Sequence, residues 1–312
     1  MPQPNDRKNA PQLSTPNSIQ NDFFCESKVD QSLIVRRKRR RIVPTQNYSI
    51  PREMRMGEYT LPHAAGGERQ RLALMSELLD LIERGHIERL GLRAGWRCLE
   101  VGCGNGSVSL WLAARVSPAG HVVASDLETS YLADLQSPCL EVRQLDVLHS
   151  PMEEATYDFV VARALLHHLP AAKQALERMV AALKPGGVLL SIEPDMLPAT
   201  VTKPEAMRAF WQGWMQWSVD EGIDYSIGPK IAPWLDSLGM EQVAAEGHTA
   251  VFNGGSPWAT YWIGTMQVLR PKLLEFGRIT QAGLQDFEAR YRDPHYWTNV
   301  VTFVASWGRK PG

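Results

Sequence analysis

The sequence contains few cysteines and no CxxC pair. Its four cysteines, Cys25, Cys98, Cys103 and Cys139, are widely spaced among 312 residues. This spacing excludes a disulfide framework and is typical of free thiols in a reducing compartment, so we expect a cytoplasmic protein. No group of histidines, cysteines and carboxylates has metal-ligand spacing, and the sequence therefore predicts no metal site.

Long apolar runs and an excess of positive charge are also missing. No window is long enough to span a bilayer, and the N-terminus lacks the hydrophobic core of a signal peptide, so we expect no membrane association. The formal net charge is −1, from 33 Lys and Arg against 34 Asp and Glu. This balance argues against nucleic acid as a partner.

Positive charge is concentrated near the N-terminus. Residues 1–50 contain nine Lys or Arg against four Asp or Glu, together with many Pro, Asn, Gln and Ser residues. This composition predicts a disordered basic tail. We interpret the basic run at residues 36–41 as solvated charge, with a localisation signal or a polyanion contact as the alternative. Residues 51–312 are predicted to form one domain.

Strand and helix patterns alternate after the tail. Helical periodicity predicts a first helix over residues 68–90. Predicted strands lie at residues 97–101, 121–125, 140–145, 157–161, 188–193, 242–251 and 298–306. Helices are predicted between them at residues 108–116, near 130–136 and at 171–183. The order predicts an α/β fold with a Rossmann-like, seven-stranded and mostly parallel sheet, helices on both faces and helical lids at about 197–237 and 253–297. No strand is expected between residues 253 and 297.

A glycine-rich loop follows the first predicted strand. Gly102, Gly104 and Gly106 occupy alternate positions, which allow a sharp turn and a close approach to a ligand at the start of the next helix. The dinucleotide fingerprint requires a glycine where Ser107 stands, and no Gly-Lys-Ser/Thr sequence follows. The loop therefore predicts a nucleotide-like cofactor other than a dinucleotide.

Glu100 and these glycines resemble the first motif of class I S-adenosylmethionine (SAM) dependent methyltransferases. Later segments resemble further motifs of that family in the same order: Asp126 after the second strand, Asp146 and Val147 after the third, then residues 157–170 and 183–190. The resemblance covers residues 59–193 and favours the small-molecule branch, which includes quinone-pathway and natural-product enzymes. It implies SAM as the cofactor and S-adenosylhomocysteine as the product.

The resemblance also implies a role for each matching position. Asp126 would hold the ribose hydroxyls, Asp146 the adenine amino group and the Val147 amide the adenine ring, with a helix cap and a local turn as the alternatives for the two aspartates. Tyr59 would close over the cofactor. The implied cofactor-binding residues are Tyr59, Glu100, Gly102, Cys103, Gly104, Asn105, Gly106, Asp126, Leu127, Asp146, Val147, Ala162 and Arg163.

Methyl transfer is an in-line displacement that depends mainly on positioning, and a base is optional. His167 is the candidate base because the loop after the fourth strand lies beside the transferable methyl group in the family, and a satisfied loop histidine is the alternative. Aromatic residues after later strands predict an apolar acceptor site, with an ordinary helix core as the alternative. The predicted acceptor-pocket residues are His168, Glu193, Trp214, Trp258, Tyr261 and Trp262.

The sequence also restricts the acceptor. The Asp/Asn-Pro-Pro-Tyr/Phe motif of DNA and protein-glutamine methyltransferases is replaced here by residues 162–165, Ala-Arg-Ala-Leu. We therefore predict methyl transfer to O, N or C of a small aromatic or lipophilic metabolite. The alternatives are a SAM-binding protein that does not methylate, a regulatory module and an RNA methyltransferase. The oligomeric state stays open, a dimer included.

Overall fold

The predicted alternation of strands and helices builds one large sheet. The computed structural model describes residues 67–312, so the basic tail and Tyr59 lie outside the described residues. The strands are β1 Arg97–Val101, β2 His121–Asp126, β3 Leu140–Gln144, β4 Tyr157–Arg163, β5 Leu183–Asp195, β6 Glu241–Thr249, β7 Phe252–Asn253, β8 Trp297–Thr298 and β9 Thr302–Arg309. Seven of them form a sheet in the order β3-β2-β1-β4-β5-β9-β6, with β9 antiparallel to both of its neighbours. The predicted seven-stranded, mostly parallel sheet is confirmed.

Helices follow most of the predicted segments. They are α1 Glu68–Arg89, α2 Ser107–Val116, α3 Ala172–Ala182, α4 Leu197–Thr200, α5 Glu205–Asp220, α6 Gly228–Ser237, α7 Pro257–Phe276 and α8 Gln281–Arg292. The helix predicted near residues 130–136 was wrong, since only a single 3-10 turn forms there, at Ser130–Leu132. Residues 134–138, Asp-Leu-Gln-Ser-Pro, include three turn-favouring residues, so the segment continues as a loop. Within residues 67–312, no helix has the combined length and apolarity needed to cross a membrane.

Both faces of the sheet are covered because neighbouring strand residues point in opposite directions. Leu99 and Leu189 belong to a buried cluster that includes residues of α3 and α6. Their neighbours Cys98 and Leu190 belong to the opposite cluster, with residues of α1, α2, α5, α7 and α8. Helix α6 lies within the segment predicted as a lid at 197–237, yet it packs against the sheet.

The segment between β6 and β9 contains two helices, as its periodicity predicts. Ser256 caps α7 by accepting a hydrogen bond from the Ala259 amide, and Thr280 caps α8 by accepting one from the Gly283 amide. The expectation of no strand near this segment was wrong at its margins. Strand β7 pairs with β8 in a short antiparallel ribbon, and the predicted strand at 298–306 is divided between β8 and β9.

The parallel register brings the predicted site together. Val101 at the end of β1 pairs with Ser125 of β2 and Ala162 of β4, while Asp126 of β2 pairs with Gln144 of β3. The loops that follow β1, β2, β3 and β4 therefore emerge at one edge of the sheet. Ligands of open α/β sheets bind at this edge.

Candidate active site

The glycine loop after β1 requires three left-handed residues. Gly102, Gly104 and Gly106 have φ angles of 73°, 57° and 72°. A Cβ atom on Gly106 would lie 2.2 Å from Leu135 Cδ1, so the Leu135 side chain would have to move to admit a side chain at this position. The Gly102 and Cys103 amides both donate to the carbonyl oxygen of Ser125, at 2.8 Å and 3.0 Å. Backbone contacts with β2 therefore hold the loop close to Asp126.

Asp126 connects the end of β2 to this loop. Its Oδ2 atom accepts from the Gly104 amide at 2.8 Å, and its Oδ1 atom accepts from the Glu128 amide at 3.1 Å. Both contacts come from backbone amides, so the carboxylate is held at the end of β2 beside the glycine loop. Leu127, the next residue, is half exposed beside the carboxylate.

Asp146 lies at the matching place after β3. Its Oδ1 atom accepts from the Leu148 amide at 2.8 Å, and its Oδ2 atom lies 2.9 Å from His149 Nδ1. Burial acts to raise the pKa of Asp146, but the hydrogen bonds from His149 and Leu148 outweigh burial and lower it. These contacts of Asp146 are those of a local turn, which was the alternative to adenine binding. Val147, the next residue, is buried.

A buried charge network lies beneath the glycine loop. Arg163 Nη1 lies 3.0 Å from Asp80 Oδ1 and 2.6 Å from Glu83 Oε2, so its side chain binds carboxylates of α1. Glu100 is buried nearby and accepts a hydrogen bond from Ser109 Oγ. Burial raises the pKa of Glu100 to about 8, and the negative charge of Glu83 adds to this effect.

Two further predicted cofactor residues stabilise the loop itself. Asn105 Oδ1 accepts from Ser76 Oγ at 3.1 Å and from the Ser107 amide at 3.2 Å, which joins the loop to α1 and α2. Cys103 is buried against Leu132, and burial raises the pKa of its thiol, so the sulfur stays protonated. Ala162 contributes backbone within β4, between β1 and β5.

The chain turns sharply after β4 and brings His167 into the site. Ala164 adopts φ 51°, in the left-handed region that non-glycine residues rarely occupy, and its amide donates to the Ile192 carbonyl at 2.8 Å. A 3-10 turn at Leu166–His168 follows. The His167 carbonyl accepts from the Asp224 amide at 2.8 Å, which fixes the turn on its other side.

His167 is paired with Glu193 at the end of β5. Its Nδ1 atom lies 2.9 Å from Glu193 Oε2, and both side chains are buried. Glu193 also accepts from the backbone amides of Leu165, Leu166 and His167 at 3.0 Å, 2.8 Å and 3.3 Å. Because the Glu193 carboxylate accepts hydrogen bonds, the proton of the neutral His167 ring is assigned to Nδ1. The Nε2 atom is then left as an acceptor.

Burial affects the two partners in opposite ways. It lowers the pKa of His167 to about 3, with a further decrease from Arg71 that Asp224 opposes, so the imidazole is neutral at physiological pH. Burial raises the pKa of Glu193 to about 7, while the three backbone amides lower it. The neutral ring can accept a proton at Nε2, but a pKa of about 3 makes it a weak base in the empty site, so it needs the Glu193 carboxylate to stabilise the charged form.

A cavity of about 40 Å³ lies next to this pair. His167 and three of the predicted acceptor-pocket residues, His168, Tyr261 and Trp262, contribute to its wall. The complete lining is Arg71, Met75, Ala164, His167, His168, Pro194, Met196, Tyr225, Tyr261, Trp262, Thr265, Val301 and Phe303.

The remaining predicted pocket residues lie behind the cavity wall. The Trp214 ring centre is 5.7 Å from that of Tyr225, and the Trp258 ring centre is 6.1 Å from that of Tyr261. Glu193 lies behind His167 and contacts it directly. Trp214 and Trp258 thus support lining residues without lining the cavity.

Sequence reasoning missed Arg71. Its Nε and Nη2 atoms each lie 2.7 Å from the Glu68 carboxylate, and its Nη1 atom donates to the Tyr261 hydroxyl at 3.1 Å. All three side chains are buried. The available signal was an oppositely charged pair three residues apart on the apolar side of the first predicted helix.

A larger open groove of about 610 Å³ lies elsewhere, lined by Thr202, Lys203, Pro204, Glu205, Arg208, His295, Tyr296 and Trp297. None of the predicted site residues lines it. The convergence of strand ends, a paired histidine and a cavity favours the smaller space as the reaction site.

Methyltransferases are among the known proteins that this chain resembles. Residues 98–187 match a family model described as a methyltransferase domain. The chain is 31% identical over 173 residues to an uncharacterized 37.1 kDa protein in transposon TN4556 of Streptomyces fradiae, which covers 53% of this chain and 49% of that protein. It is 32% identical over 114 residues to a demethylmenaquinone methyltransferase of Oceanobacillus iheyensis, covering 34% of this chain and 48% of that protein. The chain thus spans about half the length of these curated relatives.

A solved structure shows the same fold. A protein of Bacillus halodurans, provisionally described as a methyltransferase, aligns with a TM-score of 0.51 over 72% of this chain and 97% of its own. The two sequences are 18% identical, so the likeness concerns the fold.

Proposed function

We propose, on the premise that residues 98–187 form a class I SAM-dependent methyltransferase domain, that the whole chain methylates a small aromatic or lipophilic metabolite. The observation that supports this most is the neutral His167, held by Glu193 beside an apolar cavity at the edge where the cofactor loops converge. A positioned base and an aligned acceptor are what methyl transfer to a hydroxyl requires.

The described residues fit the cofactor. Three left-handed glycines form a turn whose backbone can approach a ligand closely. Asp126 and the ionised Asp146 lie at the ends of the next two strands. We assign the ribose and adenine contacts to these two residues. When bound, SAM supplies a methyl group on a sulfonium, which is a strong electrophile.

His167 would take the proton from the acceptor. The acceptor hydroxyl donates to His167 Nε2, and the proton is held there while Nδ1 stays bound to Glu193. The buried carboxylate stabilises the imidazolium that forms, as the aspartate does in serine hydrolases. General base catalysis of this kind contributes about 10²–10⁴-fold, and positioning supplies the rest.

The cavity wall favours an uncharged acceptor that contains oxygen. Among the lining residues in the described range 67–312, Arg71 alone carries a permanent charge, and Glu68 neutralises it at 2.7 Å. Trp262 also lines the cavity, and its buried indole Nε1 has no hydrogen-bond partner among residues 67–312. Buried donors are normally paired, so an acceptor oxygen would satisfy this one. A catechol or quinol provides both oxygens, and the demethylmenaquinone methyltransferase among the relatives supports this class.

Binding of such a ring requires the cavity to enlarge. About 40 Å³ is much smaller than the roughly 300–1,000 Å³ of ordinary ligand pockets. Three lining residues, Tyr261, Trp262 and Thr265, belong to α7. We assign α7 the role of a lid that moves outward when the acceptor binds.

The test is a product assay with the full chain, SAM and a panel of phenols, catechols and quinols. We expect S-adenosylhomocysteine and a methylated product to accumulate together, measured by mass spectrometry. His167→Ala should reduce turnover, whereas His295→Ala should retain it, because His295 is exposed.

Two outcomes would contradict the proposal. SAM binding by calorimetry without S-adenosylhomocysteine formation for any acceptor would indicate a cofactor-binding protein that does not methylate. Unchanged turnover of His167→Ala across pH would remove His167 from the mechanism.

A further inference from the structure

Two histidines and a glutamate meet where the last turn of α1 contacts the edge strand β6. His86 Nε2 lies 2.7 Å from His248 Nε2, and Glu246 Oε2 lies 3.8 Å and 3.9 Å from these two nitrogens. His86 is buried, whereas His248 and Glu246 are partly exposed at 30% and 44%. None of the three lines the cavity beside His167.

The fold orients these three side chains toward one point. Glu246 and His248 are two residues apart on a strand, so they project from the same face. His86 comes from the last turn of α1, and its ring centre lies 5.4 Å from that of Trp307 on the neighbouring strand β9. Two imidazoles and one carboxylate form a donor set typical of Zn²⁺.

We propose that His86, Glu246 and His248 form a zinc site, with water as the fourth ligand. Zinc lies about 2.0–2.1 Å from histidine nitrogen, so tetrahedral geometry places two ligating nitrogens about 3.4 Å apart. The two rings must therefore separate by about 0.7 Å from their present 2.7 Å contact. The exposed position of His248 and Glu246 permits this movement and gives the ion access from solvent.

Arg89 competes with the metal for this cluster. Its Nη2 atom lies 2.8 Å from His86 Nδ1 and 2.8 Å from Glu246 Oε2. Donation from Arg89 to Nδ1 places the His86 proton on Nε2, where it donates to His248. Zinc needs the opposite tautomer, with the Nε2 lone pair free, so the guanidinium must move away. Arg89 is 58% exposed and is able to do so.

The experiment titrates Zn²⁺ into the untagged full chain after chelator treatment, against a competing metal dye. We expect one zinc ion per chain. His248→Gln should weaken binding by more than the 10–100-fold that loss of an outer partner costs, because it removes a ligand. His295→Gln, an exposed histidine on another element, should bind as the wild type does.

Two further measurements separate a metal site from a simple histidine pair. Arg89→Met should bind zinc more tightly than the wild type, since the competing cation is gone. Zinc should raise the Tm of the wild type by several degrees and leave the Tm of His248→Gln unchanged.

Absence of zinc binding by the wild type, or equal binding by His248→Gln, would overturn the proposal. If His248→Gln fails to fold by circular dichroism, Glu246→Gln replaces it, because Glu246 is partly exposed and its loss also removes a ligand. Equal zinc affinity of a folded Glu246→Gln variant and the wild type would then overturn the proposal.

Discussion

Replacing Glu193 by glutamine should fix His167 in the tautomer that cannot accept a proton. The glutamine carbonyl oxygen can still accept from the Leu165 and Leu166 amides, now bonded at 3.0 Å and 2.8 Å. Its amide nitrogen would then face His167 Nδ1, at present 2.9 Å from Glu193 Oε2, and would donate to it. The ring proton would consequently move to Nε2, the atom assigned to the acceptor.

The size of the effect follows from the role of the base. Losing general base catalysis should lower kcat by about 10²–10⁴-fold. The stability of the fold should not fall together with kcat. Burial raises the pKa of Glu193 from 4.5 to about 7, which corresponds to a free energy of roughly 3 kcal/mol. Since the folded-state pKa is the higher one, this contribution to stability is present below pH 4.5 and is lost as pH rises toward about 7. Glutamine cannot ionise and avoids that loss.

The pH profile provides a second measurement. A protonated Glu193 would donate to Nδ1 and hold His167 in the inactive tautomer, so kcat/KM of the wild type should rise with pH through about 7. Glu193→Gln should lack this rise. Glu177→Gln, an exposed change of the same kind on α3, is the control and should retain the wild-type profile. A Glu193→Gln variant with near wild-type kcat and an unchanged profile would refute the reasoning.

Three further predictions concern the cofactor and acceptor sites. Gly106→Ala should lower the free energy of unfolding by about 1–2 kcal/mol from left-handed strain, with a smaller addition because Leu135 must move aside, measured by urea denaturation. Gly91→Ala has the same strain without a clash and should cost less. Asp126→Ala should weaken S-adenosylhomocysteine binding about 10–100-fold by calorimetry, whereas the exposed Asp236→Ala should not. Trp262→Phe should raise the KM for the acceptor without changing the affinity for S-adenosylhomocysteine.

The sequence could predict the features that local pattern determines. The glycine loop and Asp126 directly join a predicted strand, and parallel strands bring their carboxyl ends to one edge. His167 and Glu193 were both candidates for the same reason. Their pairing depended on the register of β4 against β5, in which Arg163 lies beside Ile192, and no sequence pattern gives that register.

Contacts between distant segments could not be predicted in this way. Arg71 and Tyr261 are 190 residues apart, and His86 and His248 are 162 residues apart. Metal-ligand motifs are recognised by short spacings along the sequence. They therefore do not detect a cluster whose ligands come from a helix and a distant edge strand. The sequence therefore predicted no metal, although the fold brings together the ligand set proposed above.

Helix α1 shows what signal was available. Its inward stripe at spacings of three and four contains Leu72, Ser76, Leu79, Glu83 and Ile87, so polar residues interrupt an otherwise apolar face. A buried charge is costly unless another group pairs with it. Each interruption therefore required a partner from elsewhere in the fold. Ser76 donates to the glycine loop, and Glu83 binds a residue at the end of β4. Through these two residues, α1 contacts the glycine loop and the end of β4 at the candidate site.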